Sequence, residues 1–135
     1  MMNELEDALA EASSLSWTQR VRAGRALASF ADIPEAAEAL MGLLLDVEDT
    51  AVTRQTAEAL AMVGTVAAVR LIAVAVAEAD DNRADWLLTG VHDAMVELGG
   101  VPDVAAACRK LARDPEGAVR RGAADISAWA DHTGC

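Results

Sequence analysis

Two segments of the chain, residues 33–46 (IPEAAEALMGLLLD) and residues 101–114 (VPDVAAACRKLARD), align without a gap. In each, apolar residues recur at i, i+3, i+4, i+7, i+10 and i+11, which is one face of an α-helix. Each also has proline at its second position, where a helix tolerates it because that N–H group has no helical partner. The two segments are therefore predicted to be copies of one helix.

A third copy is expected halfway between them, because the copies begin 68 residues apart (101 minus 33), which is twice 34. Residues 66–79 (VAAVRLIAVAVAEA) occupy that place. The uninterrupted apolar run at 71–77 is seven residues long, whereas a membrane span needs about 20. We therefore predict that residues 66–79 form a helix with other helices packed on both sides of it. Its buried side chains are predicted to be Val66, Val69, Ile72, Val74 and Val76.

Another helix is predicted upstream of each copy. Equivalent large apolar residues are spaced by 33, 35 and 31 positions: Leu27, Leu60, Met95 and Ile126. Helix-start patterns precede these segments, namely a capping-box spacing at Ser16 and Gln19 and N-caps at 49–50 and 81–82. Two helices per unit of this length predict an all-α solenoid of about three and a half antiparallel helix pairs.

The predicted single domain of 135 residues divides as follows: capping helix 3–14, repeats 15–46, 47–80 and 81–114, half repeat 115–131, and tail 132–135. Aromatic residues make up only 3% of the chain, so alanine, leucine and valine must fill the core, which suits closely packed helices. The acidic start lacks a secretion pattern, and Cys108 and Cys135 form no CxxC pair. A cytoplasmic, reduced protein without a disulfide framework is expected.

Charge is unevenly distributed along the chain. The net charge is −11, and residues 26–53 carry six acids and no base. Five of the eleven basic residues crowd into the last quarter: Arg109, Lys110, Arg113, Arg120 and Arg121. Because Asp103 and Asp114 interleave this cluster, we expect it to pair with acids of neighbouring units rather than bind phosphate. The acidic balance disfavours nucleic-acid binding.

Segments such as DPEGAVRRGAADI and DTAVTRQTAEAL resemble the first helix of HEAT repeats, in which an acidic turn precedes a V-R-x-x-A-A-x-A-L pattern. The resemblance covers about residues 15–131, although the third unit (DNRADWLLTGVHDAM) has no V-R pair. It implies a right-handed stack of antiparallel helix pairs whose second helices line a concave surface. In this family that surface usually binds protein.

A binding groove is predicted on the second helices. The strip Ala68, Leu71 and Ala75, ending at Glu78, is expected to face outward, because the packing of the stack leaves it uncovered. Met41 and Leu45 occupy corresponding positions of the first unit, and exposed apolar surface of this kind marks contact sites. Dense acid nearby, including Glu35 and Glu38, would attract a basic partner.

The predicted function is a non-catalytic protein-interaction module, an adaptor or assembly scaffold that binds a basic surface, an amphipathic helix or a second copy of itself. An alternative is an immunity-type inhibitor that neutralises a basic toxin. A second alternative is a metal-dependent or chromophore-handling enzyme. His92 and Asp93 form only one His-acid pair, and the tail residues Asp131, His132 and Cys135 lie at a terminus. No metal, cofactor, nucleic acid or membrane is therefore predicted as a ligand.

Overall fold

The computed structural model describes residues 3–98 and 102–133, and within these ranges it contains α-helices and no strand. The predicted all-α class is therefore confirmed. The helices, in chain order, are α1 (Glu4–Glu11), α2 (Trp17–Leu27), α3 (Pro34–Leu44), α4 (Thr50–Val63), α5 (Val66–Glu78), α6 (Asp81–Leu98), α7 (Pro102–Leu111) and α8 (Gly117–Thr133). A 3₁₀ turn, Ala28–Phe30, extends α2. Val101, the predicted start of the last repeated helix, lies outside the described residues.

The helix starts agree only in part with the N-caps predicted from the sequence. The Asp49 carboxylate accepts the N–H of Ala51 at 2.9 Å, as an N-cap should. The predicted capping box before α2 is wrong, because the Ser16 side chain makes no cap hydrogen bond and its hydroxyl lies 2.8 Å from that of Thr18. Before α6, Asp80 rather than Asp81 caps the helix, accepting the N–H of Arg83 at 2.8 Å.

The helices pack in two rows. The first row is α2 against α4 and α4 against α6, and the second is α3 against α5 and α5 against α7. Helix α1 packs against α2 and α3 at one end of the rows. Helix α4 ends at Gly64, whose φ of 69° is a left-handed conformation that glycine adopts without strain. This turn directs the chain from the first row into the second.

Helix α5 lies at the centre of the molecule. It contacts α3, α4, α6, α7 and α8, which explains why its sequence is apolar around most of its circumference. Its buried side chains are Ala68, Val69, Ile72, Ala73, Ala75 and Val76. Burial is thus confirmed for Val69, Ile72 and Val76, whereas Val66 and Val74 are only partly buried.

Helix α8 departs from a simple continuation of the first row. It makes its most extensive contacts with α5 and fewer with α6. The approach is close, because a Cβ atom added to Gly122 would lie 1.9 Å from the carbonyl oxygen of Ala73. Glycine therefore allows the backbones of α8 and α5 to approach each other directly.

The predicted outward strip on α5 is wrong for two of its residues. Ala68 and Ala75 are 0% exposed and belong to the core. Leu71 is partly buried and packs against that core. The physical reason is that α5 is surrounded by five helices, and α8 supplies a neighbour that a plain stack of helix pairs does not provide.

Candidate functional site

The most exposed large apolar side chains among the described residues lie in two neighbouring connections. Leu15, between α1 and α2, is 95% exposed, and Val47, between α3 and α4, is 83% exposed. Both line one hollow of about 310 Å³. We call these two side chains the apolar rim. Exposed apolar side chains that share one concavity differ from the scattered ones that any surface carries.

A second hollow continues along α1 and α3. It has a volume of about 390 Å³ and is lined in part by Leu9, Glu35 and Glu38. The two hollows share part of their lining, including Arg20, Gly42 and Asp46. Together they form what we call the α1–α3 groove.

A buried ion pair ties the two connections together beneath the groove. Nε of Arg20 donates to Oδ2 of Asp46 at 2.9 Å, and each side chain is only 9% exposed. Nη1 of Arg20 also donates to the carbonyl oxygen of Ser14 at 2.9 Å, next to Leu15. Arg20 therefore fixes the chain beside both members of the apolar rim.

Asp46 also shapes the connection that carries Val47. Its Oδ1 accepts the N–H groups of Glu48 and Asp49 at 2.9 and 2.8 Å. This carboxylate thus uses both of its oxygens, one on Arg20 and one on the turn. The turn is held by the same group that neutralises the buried arginine.

The border of the groove is acidic. Glu35 and Glu38 are exposed, and the side chain of Glu48 is 70% exposed. Among the described residues that line the two hollows, Arg20 is the only cation, and Asp46 already neutralises it. An approaching chain therefore meets two apolar side chains bordered by negative charge.

The structure brings together part of the predicted site. Glu35, Glu38 and Leu45 line the groove, and Met41 is partly buried on the same helix, α3. Glu78 is exposed at the end of α5, while the α5 positions of the predicted strip do not reach the groove lining. Sequence reasoning missed Leu15 and Val47. The available signal was an apolar residue inside a polar loop, in SSLS and DVED.

The basic cluster forms a second surface. Arg109, Lys110 and Arg113, together with Ala106, line a shallow hollow of about 460 Å³ on α7. Ion pairs in the described part of the chain involve Arg20, Arg22, Arg54 and Arg70, and Arg109, Lys110 and Arg113 form none there, whereas the charge of Arg120 helps to lower the pKa of Asp114. Asp114, which interleaves the cluster in sequence, binds Arg70 of α5 instead, at 3.3 Å.

The His92–Asp93 pair is divided between two environments. Asp93 binds Nε of Arg54 at 2.6 Å, and this hydrogen bond is the largest cause of the raised pKa of Arg54. His92 is partly buried, and its Nδ1 has no hydrogen-bond partner in the described part of the molecule. Over the described residues, no three His, Cys, Asp or Glu side chains come together as a metal site would require. The tail side chains Asp131, His132 and Cys135 lie outside this description.

Cys108 belongs to the core and is 4% exposed. Burial raises the pKa of its thiol. A raised pKa keeps the sulfur protonated, which suits a small packed hydrophobe rather than a nucleophile.

Comparison with known proteins finds no matching family model, no similar curated protein and no similar solved structure. Among the described helices, none combines the length and the hydropathy needed to cross a bilayer.

Proposed function

We propose that the chain is a non-catalytic protein-binding module with a HEAT-like α-solenoid arrangement, and that it binds a cationic amphipathic segment of a partner in the α1–α3 groove. The observation that carries this proposal is the joint exposure of Leu15 and Val47 in one hollow, above one buried ion pair. The HEAT-like arrangement is supported by the two rows of contacts, α2–α4–α6 and α3–α5–α7.

The apolar rim supplies the free energy of binding. Burying a leucine or valine side chain contributes about 2 kcal/mol. Two anchors alone only partly offset the cost of association, so they need further contacts and a prepared surface. The half-buried Leu45 and the floor of the groove supply such contacts.

The buried Arg20–Asp46 ion pair preorganises the surface of the groove. Because Arg20 bonds to the chain beside Leu15 and to the chain beside Val47, neither connection has to become ordered on binding. Ordering costs of this kind are a major loss in association, and a preorganised surface avoids them.

The acidic border of the groove determines the sign of the charge that a partner must carry. Glu35, Glu38 and Glu48 line the groove, and its described lining contains no unpaired cation. Lysine or arginine residues that flank the apolar anchors of a partner would meet complementary charge, which speeds association and excludes acidic competitors. An amphipathic helix with a basic border satisfies both requirements.

The test uses two designed helical peptides of about 18 residues, one of leucine and lysine and one of leucine and glutamate. Fluorescence anisotropy should show binding of the lysine peptide, weaker binding as salt is raised, and no binding of the glutamate peptide. Leu15→Ser together with Val47→Ser should remove about 4 kcal/mol of burial and weaken binding by about a thousandfold.

The matched control is Val96→Ser, which removes another exposed valine (69% exposed) from α6, away from the groove. This variant should bind the lysine peptide as the unaltered protein does. Equal binding of both peptides, or undiminished binding by the Leu15/Val47 double variant, would overturn the proposal.

A further inference from the structure

We propose that the groove is occupied by a second copy of this chain, which presents its own basic α7 surface. This inference rests on the proposed function and names the partner. The apolar rim of one copy, Leu15 and Val47, would enter the hollow that Ala106, Arg109, Lys110 and Arg113 form on the next copy.

The two surfaces are complementary in charge. Carboxylates border the rim, and three cations border the α7 hollow. These cations are exposed, and among the described residues none of them forms an ion pair with a carboxylate of its own chain. Although two copies of net charge −11 repel each other at long range, the unpaired basic surface of one and the acidic border of the other attract each other where they meet.

They are also complementary in shape and polarity. The two rim side chains are 95% and 83% exposed, while the α7 surface is a hollow of about 460 Å³. It is lined by Ala106 and by three residues with long aliphatic stems, Arg109, Lys110 and Arg113. Such stems cover apolar surface while their charged ends stay in water, where carboxylates of the neighbouring copy would meet them.

The two surfaces belong to different ends of the helix rows. Helix α3, which lines the groove, and helix α7, which carries the hollow, both pack against α5, which lies between them in the second row. A copy therefore uses one surface to bind the next molecule and leaves its other surface free. This contact is heterologous, so repeated addition gives a closed ring or an open filament.

Sedimentation velocity over a concentration series tests the inference. The unaltered protein should form species larger than a monomer, and these should dissociate as salt is raised. Arg109→Glu should weaken association by at least about tenfold. Arg25→Glu, an equal charge reversal at an exposed position of α2, controls for the change in net charge and should associate as the unaltered protein does.

A mixing experiment tests the head-to-tail geometry. The variant Leu15→Ser/Val47→Ser lacks the rim, and the variant Arg109→Glu/Arg113→Glu lacks the basic hollow, so each alone should be monomeric. Mixed together, they should form a dimer and nothing larger, because one intact rim and one intact hollow remain. A symmetric interface that used the same surface twice would not be restored by mixing.

The outcomes separate this inference from the proposed function. The variant Arg109→Glu/Arg113→Glu keeps its groove and should still bind the leucine–lysine peptide. A monomeric unaltered protein at every concentration, or a mixture that stays monomeric, would overturn the second-copy inference while peptide binding leaves the proposed function standing. If the unaltered protein does not bind the leucine–lysine peptide, both the proposed function and the second-copy inference are overturned.

Discussion

Asp46 and Asp114, which are 68 residues apart, hold equivalent positions and make equivalent bonds. Each uses Oδ2 to bind an arginine and Oδ1 to accept the N–H of the residue two positions later, Glu48 or Glu116. The arginines come from different helices, however, since Arg20 belongs to α2 and Arg70 to α5. The repeated turn has thus kept its aspartate while the tertiary structure supplies a different cation to each copy.

The Arg20–Asp46 pair should be essential to the fold. Asp46→Asn removes the one buried carboxylate beside the Arg20 guanidinium and leaves only the exposed Glu48 at 3.8 Å, which should lower the free energy of unfolding by about 3 kcal/mol. Urea denaturation measures this. Glu11→Gln removes the carboxylate of an exposed pair with Arg22 and should cost less than about 1 kcal/mol. Equal effects of the two substitutions would contradict the structural role assigned to Asp46.

Asp114 should make stability depend on pH. The backbone N–H of Glu116 and the guanidinium of Arg70 lower the pKa of its carboxyl group in the folded protein. A lowered folded-state pKa means that the ionised group favours folding. Its contribution is complete above the unfolded-state pKa of about 3.9 and is lost as the pH falls through the lower folded-state value.

Asp114→Asn should therefore lower the urea midpoint at neutral pH, and the difference from the unaltered protein should shrink in acid. The midpoints of both proteins measured across that pH range provide the check. Asp85→Asn, at an exposed position of α6, serves as the control. A difference that stays constant from neutral to acidic pH would show that charge is not the cause.

Gly122 should be irreplaceable where α8 crosses α5. Gly122→Ala places a Cβ atom 1.9 Å from a backbone carbonyl, so the helices must separate, at a cost of about 3 kcal/mol. Gly42 of α3 is the matched control, because a Cβ atom there meets nothing within 4 Å. Gly42→Ala should stabilise the protein by up to about 1 kcal/mol through helix propensity. Thermal unfolding of the two variants should therefore shift in opposite directions.

Hydrogen exchange should be slowest in α5 and fast in α1. Five helices surround α5, so its amides exchange only when most of the molecule opens. Helix α1 has eight residues, of which only Ala8 is buried, and it should open locally. Native-state exchange followed by mass spectrometry resolves both segments. Comparable protection of α1 and α5 would contradict the central position of α5.

Several features of the fold could be predicted from local patterns. The all-α class followed from apolar spacing and from an alanine-rich core, and the Asp49 cap followed from the chemistry of a single side chain. The burial of Val69 and Ile72 followed from a segment that is apolar on nearly every side. These properties depend on neighbours within a few residues in the chain.

The candidate site depended on distant neighbours. Glu35, Glu38 and Leu45 were predicted as site residues, but the partners that make a groove of them, Leu15 and Val47, come from two separate loops. Their exposure is set by the way α1, α2 and α3 meet around Arg20. The periodicity of apolar residues within one segment does not reveal which distant segments will pack beside it.

By itself, the sequence determined where helices form and that the segment at 66–79 is buried, because hydrophobic periodicity and capping act over one or two turns. Only the tertiary structure decided what covers that segment. Helix α8 packs along α5 because Gly122 permits the close approach, and Ala68 and Ala75 lie in the core of the assembled molecule. Whether a side chain meets solvent depends on helices that are remote in sequence, and that information exists only once the chain has packed.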